Sequence, residues 1–70
     1  MNFLAIKDRY GCIYRINFKY VFSYNPVNDS CIIISFGNFK DLIEIHFENK
    51  EERDKILNRI NHYCELKLLY

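Results

Sequence analysis

The sequence predicts an α+β fold, in which an antiparallel sheet of about five strands is followed by one carboxy-terminal amphipathic helix packed on one face of the sheet. Short runs of β-branched and aromatic residues, separated by turn residues, occupy roughly the first two thirds of the chain. The run CIIISF at residues 31–36 is the most apolar of them. After Asn49 the apolar residues recur with the period of a helix instead of a strand.

The chain has 70 residues, the size of one domain spanning 1–70. So short a chain buries only about 60% of its unfolded surface, and small domains compensate with disulfides, metals or oligomerisation. Its three cysteines, Cys12, Cys31 and Cys64, are widely spaced and odd in number, which argues against a disulfide framework. The sequence therefore predicts a homo-oligomer, a dimer or larger, in the reducing cytosol.

The first two strands are predicted at residues 3–7 and 12–16, joined by the turn DRYG. In the second strand, alternation places Ile13 and Arg15 on one face. The opposite set is assigned to the core: Cys12, Tyr14 and Ile16. The reverse assignment would bury the Arg15 guanidinium. Both Cys12 and Cys31 are expected to be buried.

The third strand is predicted at residues 20–24, with Val21 and Ser23 on one face and the aromatic residues on the other. Residues 25–30 are assigned to a hairpin loop, because Pro26 cannot donate a ladder hydrogen bond. The fourth strand, 31–36, is apolar on both faces. A single helix covers only one face of a sheet, so the second face is expected to be covered by a partner or another subunit.

The fifth strand is predicted at residues 42–47, after a turn at 37–41. Asn49 and Glu52 have the spacing of a capping box at the start of a helix over residues 50–64. Its apolar stripe is formed by Ile56, Leu57, Ile60, Tyr63 and Cys64. The pattern LKLLY at 66–70 fits either a helix extension or a sixth strand.

The charges are divided unevenly. Residues 1–40 hold five basic and two acidic side chains, whereas residues 41–70 hold five basic and seven acidic ones. The net charge of +1 argues against strong nonspecific binding to nucleic acid. Lys7, Asp8 and Arg9 end the first apolar run too early for a secretory signal or a membrane span, so we expect a cytoplasmic protein without membrane contact.

The sequence predicts that the protein is not an enzyme. Glu44 and His46 share a strand face and could support acid–base chemistry or bind a metal, but surface pairs of this kind are usually inert. A nucleophile with its base and orienting group is not recognisable. Two glycines, Gly11 and Gly37, are too few for a phosphate-binding loop. We therefore expect no catalytic residues, no metal and no cofactor.

Basic and aromatic residues alternate in the first half of the chain, and these types stack on nucleobases, grip phosphates and anchor protein interfaces. The predicted contact residues are Arg9, Tyr10, Arg15, Lys19, Tyr20, Phe22 and Tyr24. Their expected ligand is a host protein or a small nucleotide.

The order of the stretches IKDRYGCIYRIN, YVFSY, IIISFGN and IHFENKEERDKIL resembles very small stand-alone proteins of phages and low-GC bacteria. The resemblance is one of architecture, a β-meander ending in a capped helix. It implies a phage-encoded inhibitor of host defence, acting in the host cytoplasm, that caps an immune protein or sequesters a nucleotide signal between subunits. The alternative is a structural or regulatory accessory subunit of a larger bacterial complex.

Overall fold

The computed structural model describes residues 3–37 and 41–68. The elements are strands β1 (Phe3–Lys7) and β2 (Ile13–Asn17), a 3₁₀ turn (Phe18–Tyr20), strands β3 (Val21–Val27), β4 (Cys31–Phe36) and β5 (Leu42–His46), and helix α1 (Lys50–Leu68). Five antiparallel strands and one carboxy-terminal helix confirm the predicted α+β class. The bounds of β1 and β4 are as predicted, while β2, β3 and β5 are shifted at one or both ends.

Strands β1 and β2 form an antiparallel hairpin in which Leu4 lies opposite Ile16 and Ile6 lies opposite Tyr14. Ile6 and Ile16 are buried, and the other two side chains pack against the same core. The inward assignment of Tyr14 and Ile16 is therefore confirmed. Cys12 is exposed, contrary to prediction, because it belongs to the turn and β2 begins one residue later.

Strands β3, β4 and β5 form a second antiparallel sheet with β4 in the centre. A backbone hydrogen bond links it to the hairpin, from the Arg9 amide to the His46 carbonyl (2.8 Å). Ile32, Ile34 and Ile45 are fully buried on the face that packs against the helix. The CIIISF run, predicted as the fourth strand, is thus the central strand of this sheet.

The second face of this sheet is more polar than predicted. The strand registers place nine side chains on it: Ser23, Asn25, Val27, Cys31, Ile33, Ser35, Leu42, Glu44 and His46. Ile33 is only half-buried, between Asn25 and Glu44 of the neighbouring strands. Polar neighbours on β3 and β5 therefore flank Ile33 on this face. That a partner or another subunit covers the second face stays a prediction.

Strand β3 differs most from the prediction. It continues through Pro26, which lies opposite Ile32, instead of ending at Tyr24. Proline is tolerated here because β3 is an edge strand, whose outward amide groups need no partner. An irregularity between Val21 and Ser23 shifts the alternation. Tyr24 therefore packs against the core, as Val21 does, instead of sharing the exposed face of Phe22.

Helix α1 is capped as predicted at its start, where the Asn49 side-chain oxygen accepts a hydrogen bond from the Glu52 amide (2.9 Å). Its apolar stripe covers the sheet, with Ile60 fully buried. The helix continues through Leu68, so the ambiguous segment is a helix extension as far as that residue. The last two residues, 69–70, and residues 38–40 of the predicted turn lie outside the described residues.

Candidate binding surface

The β1–β2 hairpin exposes one face, which we call the outer hairpin face. Its side chains alternate with the buried ones and form three cross-strand pairs: Phe3 with Asn17, Ala5 with Arg15, and Lys7 with Ile13. Phe3 and Ile13 are each more than half exposed. An apolar residue at either end and cations along its length make this face able to contact a partner through both dispersion and charge.

The tip of the hairpin is built around Asp8. One of its carboxylate oxygens accepts hydrogen bonds from the amides of Tyr10 and Cys12, both at 2.9 Å, and the other accepts from the Tyr14 hydroxyl at 3.4 Å. Gly11 completes the turn at a φ of +86°, in the left-handed region that glycine adopts readily. Burial and the neighbouring Asp8 carboxylate raise the pKa of Tyr14. The buried carboxylate thereby fixes the backbone that presents Arg9 and Tyr10.

Arg9 and Tyr10 project from this tip next to each other. The Arg9 guanidinium carbon lies 5.5 Å from the centre of the Tyr10 ring, within the range of a cation–π contact. The same guanidinium reaches a Glu48 carboxylate oxygen at 4.0 Å, a solvent-exposed pair that contributes little to stability. Tyr10 is the most exposed of the large apolar side chains in the described chain.

The opposite end of the hairpin leads into the 3₁₀ turn. The Asn17 side chain caps this turn by accepting a hydrogen bond from the Lys19 amide (3.0 Å), and Phe18 anchors it in the core. Lys19 and Tyr20 then point outward, with the Lys19 ammonium 5.8 Å from the Tyr20 ring centre. Phe22 follows at the start of β3 and is more than half exposed.

The structure brings the predicted contact residues together only in part. Arg9 and Tyr10 occupy the tip, Lys19 and Tyr20 the far end, and Arg15 lies between them. Four residue steps separate the terminal pairs of the hairpin, about 14 Å at the rise of a strand. Within the described chain these residues therefore line an elongated surface, not a single pocket.

Tyr24 does not belong to this surface. Its hydroxyl donates a hydrogen bond to the Asn61 side-chain oxygen (2.7 Å), and its ring meets Phe18 edge-on with centroids 6.3 Å apart. Burial, and then the nearby Cys64, raise the pKa of this phenol. Tyr24 joins the sheet to the helix, so its assignment to the contact residues is not supported by its position.

Two exposed residues were missed. Phe3 and Ile13 were not included among the predicted contacts, although both are more exposed than Tyr24. The signal for Ile13 was present in the sequence, because alternation had already placed it beside Arg15. The contact residues were predicted by residue type, from basic and aromatic side chains, and this criterion excludes an isoleucine.

The exposed charges of this region have one sign. Residues 3–20 contain four cations, Lys7, Arg9, Arg15 and Lys19, and their single acid, Asp8, is buried and hydrogen-bonded within the turn. The potential over the outer hairpin face is therefore positive, reduced near the tip by Glu48.

An open cleft of about 280 Å³ lies where the tip meets the start of the helix. It is lined by Lys7, Asp8, Arg9, Phe47, Glu48, Asn49 and Glu52. Three carboxylates and two cations lie in this lining, so its formal charges give the phosphate of a nucleotide no net attraction. Its arrangement gives no support to nucleotide binding at this position.

The side chains with acid–base or ligand potential are dispersed. His46 Nε2 lies 3.5 Å from a Glu44 carboxylate oxygen, and both side chains are about half exposed. Among residues 3–37 and 41–65, no three or more histidine, cysteine, aspartate or glutamate side chains are grouped so as to hold a metal ion. Within the described chain, no helix is both long and apolar enough to cross a membrane.

Comparison of the chain with protein-family models, curated proteins and solved structures gave no match.

Proposed function

We propose that this is a non-catalytic binding protein whose contact surface is the outer hairpin face together with the tip and the 3₁₀ turn. One observation carries the proposal. Of the six large apolar side chains that are more than half exposed in the described chain, five lie on or beside the hairpin: Phe3, Tyr10, Ile13, Tyr20 and Phe22. They are interspersed with four cations and no exposed acid of the same segment.

A protein target fits this surface better than a nucleotide does. Aromatic residues and arginine are enriched at the centres of protein interfaces, and the elongated arrangement offers no enclosure for a small ligand. The specific form of the proposal is a phage-encoded inhibitor that caps a host defence protein, for which the support is the architectural resemblance described above. An accessory subunit of a bacterial complex would use the same kind of surface.

The test compares two double variants that each remove one exposed aliphatic and one exposed arginine. The hairpin variant is Ile13→Ser with Arg15→Ser, and the matched control is Leu42→Ser with Arg59→Ser. Tagged proteins are used to capture partners from a bacterial lysate, quantified by mass spectrometry. We expect a protein retained by the wild type and the control but reduced at least tenfold with the hairpin variant.

Circular dichroism melts of both variants check that the fold is kept. Equal retention by the hairpin variant would contradict the proposal. Loss with the control alone would also contradict the proposal, because it would place the contact at Leu42 or Arg59, outside the hairpin. Native mass spectrometry of the purified protein separates the two mechanisms, since sequestration requires a stoichiometric nucleotide-sized adduct and capping requires none.

A further inference from the structure

Strands β2 and β3 each form an edge of their sheet, as β1 and β5 also do, and these two edges differ in how they are protected. Strand β3 carries Pro26 and an irregularity between Val21 and Ser23, and both features obstruct pairing with another strand. Strand β2 has neither, and its register with β1 is unbroken from Ile13 to Asn17. An unobstructed edge of five residues is a template for an added strand.

The hairpin register shows which backbone groups of β2 point outward. The Asp8 amide donates to the Cys12 carbonyl (2.9 Å), which makes these two residues a hydrogen-bonded pair. In an antiparallel ladder such pairs recur at every second residue, so Tyr14 and Ile16 bond to β1. The amides and carbonyls of Ile13 and Arg15 then face away from β1. Between described residues, no turn, loop or side-chain hydrogen bond ends on these groups.

The charges beside the β2 edge favour one kind of partner strand. Arg15 lies at the centre of β2, Lys7 lies beside Ile13 across the ladder, and the single acid of the segment is buried. A second copy pairing antiparallel along all five residues would set Arg15 directly against its own equivalent, which is destabilising. An acidic strand would pair with it favourably. Nucleic acid has no backbone amide to match the edge.

We propose that β2 is a docking edge for an extended acidic segment of a partner protein, which adds to the hairpin as a further strand. The segment places an acidic residue opposite Arg15 and an apolar residue opposite Ile13, at a spacing of two. This inference rests on the proposed function and specifies its partner chemistry. The outer hairpin face then contacts side chains of the added strand while β2 contacts its backbone.

The test uses capped synthetic nonapeptides that alternate valine and threonine around a central glutamate. A second peptide carries lysine in place of the glutamate, and a third carries N-methyl groups on the amides that would face β2. Binding to the full chain is measured by fluorescence anisotropy and by amide chemical shifts. We expect the glutamate peptide to bind at least tenfold more tightly than either other peptide, with slowed hydrogen exchange at the Ile13 and Arg15 amides.

Charge reversal provides the matched variant. With Arg15→Glu, an exposed position, the preference should invert so that the lysine peptide binds more tightly. Equal binding of the N-methylated peptide would overturn strand addition while leaving side-chain docking on the hairpin, and hence the proposed function, intact. No preference for glutamate, tighter binding of an oligothymidylate, or shifts confined to other strands would overturn the inference. Slowed exchange at β2 without any peptide would assign the edge to a second copy.

Discussion

Arg53 is a buried cation that joins the helix to the β3–β4 turn. Its guanidinium donates to the Asn28 carbonyl at 3.1 Å and lies 3.5 Å from the Cys31 carbonyl, and its Nε bonds to an Asp54 carboxylate oxygen at 2.7 Å. The Arg53 side chain is almost fully buried, whereas the Asp54 carboxylate that it bonds to is about half exposed. The apolar stripe predicted for the helix does not include Arg53, because an arginine side chain on a helix is usually exposed to solvent.

Replacing Arg53 with methionine should destabilise the fold by about 2 kcal/mol, because the buried Cys31 carbonyl and the partly buried Asn28 carbonyl lose their donor. A domain of this size has a free energy of unfolding of only about 4–10 kcal/mol, so the loss is a large share of the total. Urea denaturation followed by circular dichroism measures it. The exposed Arg59→Met is the control and should stay within about 0.5 kcal/mol of the wild type. Equal midpoints for the two variants would show that Arg53 has no clamping role.

The two faces of strand β4 differ in how far they are exposed to water. Ile34 is fully buried, whereas its neighbour Ile33 is half-buried between Asn25 and Glu44. Threonine keeps the branched Cβ that suits a strand, so the same substitution at both positions isolates burial from strand propensity. The two positions therefore form a matched pair.

We expect Ile34→Thr to cost about 2–4 kcal/mol, since it leaves a hydroxyl without a partner in the core. Ile33→Thr should cost less than about 1 kcal/mol, because water reaches that face. Thermal melts and sedimentation give stability and mass for each variant. A large loss at Ile33, or a change of oligomeric state there, would mean that another subunit covers the second face, as the sequence had suggested.

The elements that could be predicted from the sequence are those in which local pattern and tertiary position agree. β1 follows from alternation, β4 from its apolar run between turn residues, and the start of the helix from the Asn49 cap. The end of β3 could not be predicted, because Pro26 is compatible with a strand only at an edge, and edges are set by topology. The proposed contact surface could be predicted in part, since alternation places Ile13 and Arg15 on one face of β2. The inward position of Tyr24 could not be predicted, because it depends on the irregularity between Val21 and Ser23.

Self-association through the outer hairpin face and binding of an acidic partner should depend on salt in opposite ways, because the hairpin is basic. Two copies meeting through their outer hairpin faces bring like charges together, so salt should strengthen that self-association by screening. Binding of an acidic partner should weaken with salt for the same reason. Sedimentation equilibrium at 50 and 500 mM sodium chloride measures self-association, and peptide binding under the same conditions measures the affinity for an acidic partner. Between these two salt concentrations the Debye length falls from roughly 14 to 4 Å. A mass that falls with salt would contradict face-to-face pairing, and would indicate that the basic hairpin of one copy binds the acidic residues 41–70 of another.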